Sequence, residues 1–245
     1  MIHYIYDGSF DGLLTSIYEA YYRKDIPEKI LFNKDPQENL LVNRIHISTD
    51  IGKSKKVYDS IKNKISSRAL KNIFYTYLSE EENLGTWVYK YLRLGWKIGK
   101  NVDLNMSDDG VLKIYKTRRS VEREVHLLTG LIRFRRLEAN IYYAPVEPMY
   151  NTVGLLAPHF AERLGDQNWV IHDVKRGIGA VYNKEEWIIS DINFKHDLKF
   201  GEDETFFQNL WREYFKSVAI KNRINPKLQK KNMPMRYWRY LVEKN

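Results

Sequence analysis

The apolar residues of this chain change their spacing partway along it, and that change limits the folds open to it. Phe10, Leu13, Leu14, Ile17, Tyr18 and Tyr21 recur at the spacing of one helix face, with Asp7 or Ser9 in place to cap the helix. Similar stripes run through Val57, Ile61 and Ile65, through Leu70, Ile73, Phe74 and Tyr77, and through Leu84, Trp87, Val88 and Tyr91. Ser79 with Glu82 fits a capping box, which separates the last two stripes into two helices. Strands are expected at 2–6 and 43–48 in this half. After a helix that runs to about residue 129, short strand-like runs follow at 131–137, 141–146, 169–174, 180–183 and 186–189, with a helix at 151–164 between the second and third. Arg176-Gly177-Ile178-Gly179 reads as a hairpin turn. Phe206, Phe207, Leu210, Trp211, Tyr214, Phe215 and Val218 form the clearest amphipathic helix, whose apolar face is expected to dock on the sheet. The chain is therefore expected to be α+β, with a helix-rich N-terminal half and a C-terminal antiparallel sheet packed by helices. The polar segment 101–110, with Asp103, Asn105, Ser107, Asp108 and Asp109, divides it into 1–105 and 106–245.

With no cysteine, the sequence excludes disulfides, thiolate metal sites and a cysteine nucleophile. Zinc-protease, P-loop, dinucleotide and serine-elbow motifs are absent, and neither a metal nor a cofactor is expected. The first ten residues lack a basic region followed by an apolar one, and no apolar run approaches the roughly 18 residues of a membrane span. A soluble cytoplasmic protein with no membrane association is expected.

The formal net charge is +9, which calls for a polyanionic partner without choosing among nucleic acid, lipid and acidic protein. Its distribution narrows the choice. Residues 214–245 hold nine basic residues (Lys216, Lys221, Arg223, Lys227, Lys230, Lys231, Arg236, Arg239 and Lys244) against the single acid Glu243. The segment interleaves these cations with Tyr237, Trp238 and Tyr240, a combination that neutralises phosphates and stacks exposed bases. The plainer alternative packs the aromatics, Trp238 first, into the core and leaves the lysines in water.

Two other constellations carry chemistry. Alternation along 131–137 sends Ile132 and Phe134 to one face and Arg133 and Arg135 to the other, where two guanidinium forks suit phosphate. An exposed sheet face with ion pairs to Glu138 or Glu147 is the alternative. On the helix 151–164, His159, Glu162 and Arg163 occupy adjacent turns, so an acid/base histidine or a third cation beside the arginines is open.

Leu131-Ile132-Arg133-Phe134, Glu147-Pro148, Ala157-Pro158-His159-Phe160-Ala161-Glu162-Arg163, Trp169-Val170-Ile171-His172-Asp173, Leu210-Trp211-Arg212-Glu213-Tyr214 and Met233-Pro234-Met235-Arg236-Tyr237-Trp238 occur in an order that resembles a bacterial DNA metabolism and repair family. The C-terminal module of that family is also found fused to uracil-DNA glycosylases. The opening Tyr6-Asp7-Gly8-Ser9-Phe10 with Leu13-Leu14 is similar to the family's start, so the resemblance spans the chain. It implies a role in DNA repair or modification beside a radical S-adenosylmethionine protein as partner, and it carries over no catalytic residues. The run from Gly201 to Glu204 departs from the family pattern in being short and acidic.

Three functional readings stay open. One is a DNA-binding accessory protein acting with a partner enzyme, with Arg133, Arg135, Arg163, Lys227, Lys230, Lys231, Arg236 and Trp238 as the binding residues. Another is a hydrolytic DNA repair enzyme using His159, Glu147 or Asp173. The third is an adaptor whose basic tail binds an acidic protein partner.

Overall fold

The computed structural model describes residues 1–23, 26–32, 42–193 and 198–245. These residues group into two compact units, Met1–Glu122 and Arg123–Asn245. Among them no helix is long and apolar enough to cross a membrane.

The first unit is built on a three-stranded parallel sheet in the order β2-β1-β3, from β1 (Ile2–Tyr6), β2 (Lys29–Phe32) and β3 (Asn43–His46). Parallel neighbours need crossover connections, and α1 (Phe10–Tyr22) supplies the one between β1 and β2. Ser9 caps α1 by accepting the Gly12 N–H. After β3 come α2 (Ile51–Ser60), a π-helical turn at Ile61–Ile65, α3 (Ser67–Tyr77), α4 (Leu84–Ile98), a 3₁₀ turn at Gly99–Leu104 and α5 (Asp109–Leu131). Tyr4, Leu13, Ile17, Ile30, Ile61, Ile73, Val88 and Leu92 form the centre of the first core. The two helices expected around residue 80 are present, but the capping box is not. Ser79 donates its hydroxyl hydrogen to Thr76 O at 2.6 Å, and α4 starts after Asn83 without a side-chain cap. Ser79 thus sits in the turn that follows α3, where its oxygen accepts Glu81 N–H at 3.4 Å, four residues before the position that precedes α4.

The second unit contains a five-stranded sheet in the order β4-β5-β6-β7-β8: β4 (Arg135–Arg136), β5 (Ile141–Val146), β6 (Asn168–Asp173), β7 (Ile178–Tyr182) and β8 (Trp187–Asp191). The α+β class is as expected, whereas the sheet is mixed rather than antiparallel throughout. β5 and β6 run parallel because α6 (Val153–Arg163) carries the chain back between them; the other pairs are antiparallel. Gly177, at φ +67°, makes the turn between β6 and β7. The run 131–137 is mostly not a strand. Leu128 and Ile132, four residues apart and both buried, extend the helical stripe of α5 to Leu131, which leaves only Arg135 and Arg136 to pair with β5.

Alternation puts Tyr142, Ala144 and Val146 level with Trp169, Ile171 and Asp173 on one face. α6 covers this face through Val153, Leu156, Ala157 and Phe160, which form the second core with Trp169 and Ala180. α7 (Glu204–Ser217) does not bury its apolar stripe against the sheet as expected. Phe206, Phe207, Leu210 and Tyr214 are each more than half exposed. The helix is fixed instead by Trp211 and Arg212, which donate to Glu243 Oε2 (2.9 Å) and Val242 O (3.1 Å) in the turn Val242–Lys244. α8 (Pro226–Asn232) and the 3₁₀ turn Met235–Tyr240 lie between them in sequence.

Candidate nucleic-acid interface

The basic tail contains one short, well-defined helix. Asn225 caps α8 by accepting the Leu228 N–H at 3.0 Å, and Pro226, whose fixed φ suits a first helical position, begins it. Lys227, Lys230 and Lys231 stand at i, i+3 and i+4, which places three ammonium groups on one helix face. All three are exposed, and among the described residues none is paired with a carboxylate. An exposed lysine face without acids has no role in packing, and its ammonium groups remain available for an external anion.

The aromatics of the tail mostly turn inward. Tyr237 is buried and donates its hydroxyl hydrogen to Glu124, whose carboxylate also accepts Met149 N–H (2.8 Å) and Tyr150 N–H (2.9 Å). Burial, together with the hydrogen bond to Glu124, pushes the Tyr237 phenol up, so it remains a donor. Trp238 is half-buried, donates its indole N–H to Met233 O (2.9 Å) and carries Lys244 over its ring at 4.5 Å. It is therefore engaged within the fold. Arg236 stays on the surface, over the Tyr237 ring and 3.7 Å from Glu124 Oε1.

The expected cleft of Arg133, Arg135, His159 and Arg163 does not form. Phe160 of α6 packs edge-on against Phe134 at 5.2 Å, so α6 covers the face opposite the one expected to carry the arginines. His159, Glu162 and Arg163 lie off the buried stripe and point to solvent. Arg133 makes a two-pronged ion pair with Glu243 (2.7 and 3.2 Å) and lies 5.1 Å over the Trp211 ring. Burial raises the Glu243 pKa, but the hydrogen bonds from Arg133, its own backbone and Trp211 outweigh that and hold it below the usual carboxylate range. Arg135 is half-buried beside the Phe200 ring, at 6.0 Å, and its Nε has no hydrogen-bond partner among the described residues.

Two of the expected acid/base groups, Asp173 and Glu147, are hydrogen-bonded within the fold. Asp173, fully buried, accepts Lys175 N–H and Arg176 N–H (both 3.1 Å) and pairs with Arg176 Nη1 at 2.8 Å, closing the β6–β7 turn. Glu147 accepts the Tyr240 hydroxyl hydrogen at 2.5 Å. A pair that escaped sequence reasoning sits on the sheet face away from α6, where Tyr143 Oη and His172 Nδ1 are 2.8 Å apart. Burial pushes the imidazole down and the phenol up, so the proton stays on Tyr143. Only the register of β5 against β6 brings these two residues, 29 apart in sequence, together.

A family model described as a domain of unknown function, DUF4130, matches residues 82–243. No curated protein matches the chain.

Proposed function

We propose, on the premise that the chain belongs to the DUF4130 family, that it is a DNA-binding accessory protein that holds DNA for a partner enzyme of repair or modification. The observation that carries this reading is the α8 face of Lys227, Lys230 and Lys231, three exposed cations in register with no acid among the described residues to balance them. Cations so placed bind phosphates by releasing counterions, which gives affinity without sequence preference. The engagement of Asp173 by Arg176 and of Glu147 by Tyr240 supports an accessory role over hydrolysis by this chain itself. The partner suggested by the sequence resemblance is a radical S-adenosylmethionine protein.

Fluorescence anisotropy with a labelled duplex tests the reading. Affinity is expected to fall steeply between about 50 and 200 mM salt, and replacing Lys227, Lys230 and Lys231 together by alanine should flatten the log–log slope by about 0.9 for each phosphate no longer neutralised. Salt-independent affinity, or no binding at low salt, would overturn it. Binding to an acidic peptide but not to DNA would assign the tail to a protein partner instead.

A further inference from the structure

Beside the sheet edge, α7 and the C-terminal turn enclose a pocket of about 370 Å³ with β4 and β5. Its walls are largely aromatic, formed by Phe134, Tyr142, Phe207 and Trp211. Phe207 remains 54% exposed and Trp211 37%, so folding alone leaves these rings only partly covered. Arg133 and Arg136 also line the pocket. The charge of Arg133 is balanced by Glu243, while Arg136 meets only the side-chain oxygen of Asn140 (2.6 and 3.1 Å) and has no carboxylate partner among the described residues.

We infer that this pocket accepts an unpaired base of DNA, stacked among the aromatic rings, with Arg136 on the adjoining phosphate. The inference rests on the DNA-binding reading and extends it from the phosphate backbone to the base. Every base has a π-face, so aromatic walls bind without sequence preference, and a pocket of a few hundred Å³ is the size that accepts one flat heterocycle. The polar lining points the same way. Glu204 is buried and accepts Arg136 N–H and the Gln208 amide N–H, both at 2.8 Å. That carboxylate repels a phosphate from the interior, yet its remaining lone pairs accept N–H groups from a base edge.

Placement along α7 fits one continuous strand. Gln208 and Trp211 line the pocket, and Phe215 and Val218, one to three turns further on, line a groove with Leu228 and Gln229 of α8. At 1.5 Å per residue, Gln208 and Val218 are about 15 Å apart along the helix axis, a distance spanned by a few nucleotides.

The test uses the full chain with a single-stranded oligonucleotide carrying one 2-aminopurine, and an intact duplex as control. The wild type is expected to quench 2-aminopurine on binding. Phe207→Ala should abolish the quenching and weaken single-strand affinity about tenfold, leave duplex affinity within about twofold, and Phe207→Trp should restore both losses. Circular dichroism confirms that each variant is folded. If Phe207→Ala quenches and binds like the wild type, the pocket assignment is overturned and the DNA-binding reading stands. If neither DNA binds the wild type at low salt, both fall. Displacement of the oligonucleotide base by a free deoxynucleoside monophosphate at equal concentration would make the pocket a site for small nucleotides and overturn the DNA assignment.

Discussion

Single carboxylates hold the C-terminal unit together at points far apart in sequence. Glu124 is only 2% exposed and satisfies two backbone N–H groups after β5 as well as the Tyr237 hydroxyl. Glu124→Ala strands the buried Tyr237 hydroxyl and two partly buried backbone donors, so a loss of about 2–4 kcal/mol is expected in urea denaturation. Tyr237→Phe removes one donor and should cost about 1–2 kcal/mol. Equal losses from the two variants would show that Glu124 does not anchor the loop. Glu243 gives a pH dependence. Its folded pKa lies below the unfolded one, so its contribution is fully present above the ordinary carboxylate value and is lost as pH falls through the folded value. Because Trp211 donates to it, the fluorescence difference between the wild type and Trp211→Phe should be flat from neutral pH to about 5 and change below about pH 4. A change centred near pH 6 would rule out Glu243 as the titrating group. At this scale the sequence conveys which residues are polar and aromatic but not their partners. Tyr237 and Trp238 read as base-stacking groups or as core, Trp238 more readily as core, and the positions of Glu124 and Met233 decide.

At the scale of elements, spacing located most helices and strands. Their partners depend on which faces are already occupied. The stripe of α7 is plain in the sequence, but most of it stays exposed in the folded unit. β2 has only four residues, too few to display alternation, and it becomes a strand by pairing with β1. Helix packing also explains which glycines can change. At Gly85 of α4 a Cβ would lie 2.6 Å from Ile30 O of β2, so Gly85→Ala must push helix and strand apart and is expected to cost about 1–3 kcal/mol. Gly130 of α5 has nothing within 4 Å of that position, and alanine there should be neutral or stabilise by up to about 1 kcal/mol. Thermal unfolding of the two variants checks the contrast, and a stable Gly85→Ala protein would show that α4 and β2 are not closely packed.

Over the whole chain, charge is arranged unevenly within the second unit. Residues 123–213 hold eleven basic and fourteen acidic residues, whereas residues 214–245 hold nine basic and one acidic. That asymmetry was legible from the sequence, because counting charge needs no fold. The pocket beside α7 was not, because its walls come from residues between Arg133 and Val242 that only the folded chain assembles.

The bond between Glu124 and Tyr237 spans 113 residues, and that between Arg133 and Glu243 spans 110. Each closes nearly the whole second unit in one loop, so the entropy of closure falls late in its folding. On the ribosome the sheet emerges before the turns that tie down α7 and satisfy Glu124. Until residues 237–243 are made, the carboxylate of Glu124 and the Trp211 and Arg212 donors of α7 wait without their partners, so a nascent chain stalled before that point offers chaperones and proteases an open intermediate.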